Sequence, residues 1–222
     1  PVSSVYNLYN YQIAEDDAHL WRGTTVPPWA TNSPIVALKY DSQLLGDLMS
    51  GDAQNDYFGT EIGLNYDGTR IAIGTGFISG GYVKIFDFDG TSWNNNPVKI
   101  SAYYINSEPG NIVANQSDMS TIRYFGSTLS FNKNGNILAI GSSGTTSTSY
   151  SFSGFVQIYN YNNNSWSLMT TIYGTDGNQR LGQTISLNDN GDIIAIGGDY
   201  SHVGIVKIYN YDGNNWVPFG EI

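Results

Sequence analysis

Side chains able to do acid–base or metal chemistry are sparse in this sequence. His19 and His202 are its two histidines, one in each of two distant loops, a placement that builds neither a metal site nor a catalytic triad. Cysteine is absent, which removes disulfides, thiolate ligands and a cysteine nucleophile. The glutamates Glu15, Glu61, Glu108 and Glu221 share no position in the repeat described below. The paired carboxylates of a glycosidase would therefore have to come from unrelated loops. Gly74-Thr75-Gly76 and Gly80-Gly81 do not make a phosphate cradle, because a strand and not a helix N-terminus follows them. Asp87 and Asp89 offer two alternating carboxylates where a hard cation wants several oxygens; an Asp-Gly turn that caps a hairpin accounts for them more simply. Glu15-Asp16-Asp17 reads as a solvated acidic run. The expectation is a chain that is not an enzyme, with no catalytic residues, no metal and no cofactor.

Composition narrows the partners. Nine Lys+Arg against 19 Asp+Glu give a net charge of −10. That excludes the basic stripe by which nucleic-acid binders displace counterions, and it disfavours docking on an anionic membrane surface. No run approaches the roughly 18 apolar residues of a membrane-spanning helix. Aromatics at 14% outnumber charged residues at 13%, a balance opposite to that of disordered chains. The N-terminus, Pro1-Val2-Ser3-Ser4-Val5-Tyr6-Asn7, has no signal-peptide pattern and no initiator Met. The expectation is a processed chain or a section of a longer polypeptide.

Self-comparison shows what must position any site. Phe58-Gly59, Phe125-Gly126 and Leu181-Gly182 each precede a strand. The turns Asp67-Gly68, Asn134-Gly135 and Asn190-Gly191 lead into Ala72-Ile73-Gly74, Ala139-Ile140-Gly141 and Ala195-Ile196-Gly197. Val83-Lys84-Ile85-Phe86, Val156-Gln157-Ile158-Tyr159 and Val206-Lys207-Ile208-Tyr209 follow, closed by Trp93, Trp166 and Trp216. Each copy reads as four antiparallel strands, the first two joined by a tight turn with positive φ at both central positions. Asp89-Gly90, Asn163-Asn164 and Asp212-Gly213 supply the second turn. On the second strand, Ile71 and Ile73 share one face while Ala72 and Gly74 share the other, since successive residues alternate sides. Sheets with one bulky and one small face nest on copies of themselves, and repeating that contact around an axis gives a β-propeller.

The expected architecture is all-β, a propeller of four-stranded antiparallel blades at 57–106, 107–173 (with long loops) and 174–222. Residues 1–56 are expected to form a degenerate or partial blade and linker, since Asn7-Leu8-Tyr9-Asn10-Tyr11 and Trp21 echo the later units. A chain of this length buries about 70% of its unfolded surface, enough for such a core.

The order of Phe-Gly, Asp/Asn-Gly, Ala-Ile-Gly, Val-x-Ile-Tyr and Trp resembles the FG-GAP type of propeller repeat over residues 50–222, with Leu181 departing from Phe. That family includes the integrin α-chain propeller and repeats in large surface proteins of bacteria and giant viruses. The resemblance implies a propeller fold and an adhesive or scaffolding role. Calcium binding is not carried over: neither Asp87-Phe88-Asp89-Gly90 nor Asn188-Asp189-Asn190-Gly191-Asp192 matches the family's Asp-x-Asp-x-Asp-Gly loop.

Tyr159, Tyr161, Tyr209, Tyr211 and the recurring Trp residues are expected to pack between outer strands. Aromatics outside the repeat register, Trp29, Tyr103, Tyr104, Tyr150 and Phe152, are the candidate partner-binding residues. Loops 77–82, 106–124 and 142–154 would present them. The expected role is a structural and interaction module on a virion, cell surface or matrix, with other proteins of such an assembly as partners. A carbohydrate-binding lectin is the alternative, with glycans as ligand, and a propeller hydrolase is a more distant one.

Overall fold

An asparagine begins the first turn of every repeat, and its side chain organises that turn. The computed structural model describes residues 48–76, 81–101, 111–113, 122–144, 152–199 and 204–220, all within the unit Leu45–Ile222. The first sheet is β1 (Glu61–Leu64), β2 (Arg70–Gly74), β3 (Tyr82–Asp87) and β4 (Val98–Ser101), joined by β5 (Asn111–Val113). The second is β6 (Phe125–Phe131), β7 (Ile137–Ser142), β8 (Phe155–Asn162) and β9 (Ser165–Tyr173). The third is β10 (Thr184–Leu187), β11 (Ile193–Gly198), β12 (Ile205–Tyr211) and β13 (Trp216–Pro218). Within each sheet the four repeat strands pair in chain order and antiparallel. The described residues contain no helix.

Between β1 and β2 the Gly68 amide donates to the Asn65 carbonyl, and the same bond joins Gly135 to Asn132 and Gly191 to Asn188. The asparagine Oδ1 then accepts the amide of Arg70 in the first sheet, of Asn136 and Ile137 in the second, and of Gly191, Asp192 and Ile193 in the third. Only the glycine is left-handed, at φ 71°, 69° and 76°. The two-residue turn expected from the sequence is therefore replaced by a four-residue turn, because the side-chain acceptor satisfies amides that a tighter hairpin would pair directly. The second turn of the middle sheet does have both central residues left-handed, Asn163 at 51° and Asn164 at 60°. Replacing Asn132 by Ala is expected to cost about 1–2 kcal/mol by leaving the Ile137 amide without its acceptor. Asn132→Asp, which keeps the oxygen, should recover most of that loss in urea unfolding.

β5 runs parallel to β4. Residues 111–113, expected in the 107–173 blade, thus extend the first sheet. A parallel partner needs a crossover and not a hairpin, so no turn dipeptide announces it.

The sheets stack through one contact used twice. Ala72, Val83, Ile85 and Ile100 of the first sheet share a core with Leu129, Leu138, Ile140 and Phe155 of the second. Ala139, Val156, Ile158 and Ile172 on the other face of the second sheet meet Ile194 and Ile196 of the third. The face carrying Ala and Gly is small only on its first two strands. In register beside Gly74 and Ala72 stand Val83 and Ile85, backed by Ile100 and Val98. The glycines allow near contact of backbones: a Cβ on Gly74 would lie 2.0 Å from the Gly126 carbonyl oxygen, and one on Gly141 2.2 Å from that of Gly182. Consecutive four-stranded antiparallel sheets, stacked face to face by a repeated contact, are blades of a β-propeller.

Candidate functional site

A meander of antiparallel strands sends its connections alternately to two ends, and the two ends differ here. At one lie the short turns 65–69, 88–93, 132–136, 163–164, 188–192 and 212–215. At the other lie the β2–β3, β7–β8 and β11–β12 connections and the links between sheets.

The short-turn end is interlocked. The Tyr66 amide donates to the Lys133 carbonyl of the next sheet, and the Lys133 amide to the Asp189 carbonyl of the one after, both at 3.1 Å. Arg70 binds Asp87 through two nitrogens, donates to the Gly135 carbonyl at 2.9 Å, and lies 3.9 Å from the Tyr161 ring centroid and 5.4 Å from that of Trp166. One guanidinium, held within the first sheet by its ion pair to Asp87, thus ties the first two sheets by a backbone bond and two ring faces. The carboxylates considered for calcium are engaged here: Asp87 holds Arg70, and Asp89 accepts the amides of Thr91 and Ser92 in its own turn. Those amides hold the Asp89 carboxyl below the usual carboxylate range. Phe88–Trp93, Tyr161–Trp166 and Tyr211–Trp216 pack ring to ring at 5.2, 5.2 and 5.5 Å. The recurring Trp residues clamp the outer hairpins.

The long-loop end is built otherwise. Asn55, Tyr57, Tyr124, Phe152, Asn178 and Arg180 are left-handed there, with φ between 48° and 66°. Side chains with a Cβ are rarely held so, and such residues gather where surrounding structure fixes a loop for use. Phe152 is the described member of the candidate aromatics. Its carbonyl accepts the Arg180 amide at 2.9 Å, Ser153 accepts from Leu181, and the Arg123 guanidinium lies 5.9 Å from its ring centroid. Arg180 in turn approaches Asp199 at 3.4 Å. Phe152 therefore stands, half-buried, beside two arginines on a loop fastened to the neighbouring sheet. Trp29, Tyr103, Tyr104 and Tyr150 lie outside the described residues, as do most of loops 77–82, 106–124 and 142–154.

At the same end of the first sheet, Asp52 pairs with Lys84 at 2.6 Å and Lys99 at 2.5 Å, and Lys84 also donates to the Ser50 carbonyl. The Tyr82 hydroxyl donates to Asp56 and accepts the Asp52 amide at 2.8 Å. Burial, with the Asp56 acceptor added, pushes the Tyr82 phenol far above its usual range. For Asp52, burial raises the carboxyl, but its bonds to Lys84 and Lys99 outweigh that and leave it lowered. Asp56 is lowered too: burial raises it, while Tyr82 and the amides of Phe58, Ala53 and Asp52 prevail. A depressed folded pKa stabilises above the unfolded value, about 4, and that stabilisation vanishes as pH falls through the lower folded value. Acidification below pH ~4 should therefore raise amide exchange of Asp52, Ala53 and Phe58 before that of Ile140. Asp52→Asn should show the same loosening at neutral pH.

Neither the Arg70 lock nor the Asp52 cluster was visible beforehand. The nearest signal is the polar residue in Val-x-Ile, which is Lys84, Gln157 or Lys207 on the bulky face; buried Gln157 accepts the Tyr159 hydroxyl at 2.8 Å. Among the described residues no three His, Cys, Asp or Glu side chains group as metal ligands.

No family model and no curated protein matches the sequence. Similar solved structures include the β-propeller domain of Myceliophteria thermophila Cps50 (Swd1), at 13% identity and TM-score 0.46, covering 78% of this chain and 39% of that one. Kuenenia stuttgartiensis hydrazine synthase is similar at 12% and 0.44, covering 78% and 38%. TolB from Acinetobacter baumannii is similar at 8% and 0.40, covering 71% and 31%. The chain thus spans well under half the length of these proteins.

Proposed function

We propose that this chain is a non-enzymatic interaction module of FG-GAP type, which presents loops from stacked blades to another protein of a virion, cell surface or matrix. The observation that carries the reading is the contrast between its ends. One is closed by turn-to-turn bonds and the Arg70 lock, while the other holds left-handed aromatic and basic residues on long connections. Rigid sheets remove the entropy of ordering the loops on binding. An aromatic beside arginine, as Phe152 stands beside Arg123, is the residue chemistry that recognition surfaces favour.

The test is binding of the purified chain to isolated capsid or surface proteins from its native source, compared with Phe152→Ala and Tyr150→Ala variants. A complex weakened at least tenfold by either substitution supports the reading. Binding to a glycan array, lost on the same substitutions, favours the lectin instead. Turnover of a glycoside or phosphodiester, abolished at a single carboxylate, would overturn it in favour of an enzyme.

A further inference from the structure

Two Asn-Gly pairs occur in the sequence, Asn134-Gly135 and Asn190-Gly191, at the same turn of the second and third repeats. Such a pair can modify itself. The glycine nitrogen attacks the asparagine Cγ, the new N–Cγ bond closes a succinimide ring, and the side-chain nitrogen leaves as ammonia. Water then opens the ring at either carbonyl. The product is aspartate, or isoaspartate in which the main chain runs through the former side-chain carbonyl; water is the sole co-reactant. Glycine favours the attack because it has no Cβ to obstruct it. From their sequence alone the two pairs are equally reactive, and the first repeat already carries an aspartate, Asp67, at this position.

The fold holds the two pairs differently. Both asparagines are exposed and both glycines buried. The Gly191 amide donates to the Asn188 carbonyl and to the Asn188 Oδ1, each at 3.0 Å. Its own turn therefore restrains that nitrogen twice. The Gly135 amide donates to the Asn132 carbonyl at 3.0 Å, while the Asn132 Oδ1 accepts the Asn136 and Ile137 amides instead. The second restraint on Gly135 comes from the first sheet. The Arg70 guanidinium donates to its carbonyl at 2.9 Å, and a Cβ built on it would meet the Asn65 Cβ at 2.8 Å. Ile137 stands at the register position of Arg70 and lies over Gly191, but it has no donor to offer.

We propose that Asn134 is a site of intramolecular deamidation gated by the Arg70 contact between the first two sheets. While the guanidinium holds the turn, the Gly135 nitrogen keeps its proton on the Asn132 carbonyl and cannot swing towards the Asn134 Cγ. Local opening takes less free energy than global unfolding. Opening of the two sheets at this end removes the Arg70 bond and the Asn65 cover together. The Gly135 amide is then left with one acceptor in an uncovered turn, and the ring can close. Isoaspartate adds an atom to the main chain between β6 and β7, so Gly135 no longer stands where both Asn132 and Arg70 reach it. A transient separation of the sheets thus becomes a permanent one. This modification is independent of the partner-binding reading above, which concerns the long-loop end.

The test keeps the purified full chain for weeks at mildly alkaline pH and physiological temperature, and measures aspartate and isoaspartate at each site by peptide mass spectrometry. In urea, with both turns unfolded, Asn134 and Asn190 should react at comparable rates. In the folded chain both should slow, and Asn134 should react at least fivefold faster than Asn190. Arg70→Met, with its circular dichroism spectrum and melting transition retained, should speed Asn134 at least tenfold and leave Asn190 unchanged. The comparison of the two sites in the natural chain needs no variant, so it decides the matter even where Arg70→Met does not fold. Equal rates at the two sites of the folded natural chain would overturn the proposal, since global unfolding alone would then admit the reaction. So would a folded Arg70→Met chain in which Asn134 is not accelerated, or in which both sites are accelerated alike.

Discussion

Replacing Gly141 by Val should destabilise the chain by about 3 kcal/mol or more, beyond the usual range for overpacking, because the obstacle is backbone. The first atom added would sit 2.2 Å from the Gly182 carbonyl oxygen. Gly182 cannot easily withdraw: it is left-handed at φ 91°, and a Cβ built on it would meet the Phe155 carbonyl oxygen at 2.6 Å, Val156 at 2.9 Å and the Gly141 α-carbon at 3.4 Å. Gly141 itself has no left-handed φ, so the cost is one of space and not of conformation. Gly68 gives the converse. It is left-handed at 71° with nothing within 4 Å of an added Cβ, so Gly68→Ala should cost only about 1–2 kcal/mol, the penalty of that backbone region. Urea midpoints of the two variants separate the effects. Equal losses would mean that the sheets do not approach as closely as described.

Phe155→Ala should cost about 3–5 kcal/mol. The ring is fully buried between the first and second sheets, with Phe125 at 6.2 Å and Tyr173 at 6.1 Å between centroids. Both neighbours are fixed on strands or strand ends, so the space cannot collapse and the cavity adds to the lost transfer energy. Leu48→Ala, at a position exposed to solvent, should change stability by no more than about 0.5 kcal/mol. Thermal unfolding reads both, with a shift on the order of 10 °C for Phe155→Ala at this chain length.

What could be read from the sequence was local. Hairpin glycines, the Ala-Ile-Gly alternation and the trailing Trp are spaced within a few residues, so three blades and their strand order were legible before any coordinates. The pairing of β5 was not, because a parallel partner reached by crossover leaves no turn signal. Asn65, Asn132 and Asn188 recur as visibly as the glycines, yet the dipeptide rule drew attention past them to Asp-Gly and Asn-Gly. Of the candidate aromatics, Phe152 is described and its surroundings are known; its neighbour Arg180 is 28 positions later, a separation no motif spans. Arg70 and Tyr161 meet for the same reason: stacking brings together positions that pairing within one repeat does not. Asp52 and Lys99 meet within the first unit, but across 47 positions.

The stacking of a Gly/Ala face on a Leu/Ile face carries the account, and one measurement addresses it. In a Gly63→Cys, Leu129→Cys double variant the two Cβ atoms should stand about 3.5 Å apart across the first two sheets. Oxidation under dilute conditions should therefore form an intramolecular disulfide in nearly every molecule, with the circular dichroism spectrum unchanged. Free thiols persisting in the folded variant, or a disulfide formed only after denaturant is added, would contradict the face-to-face arrangement.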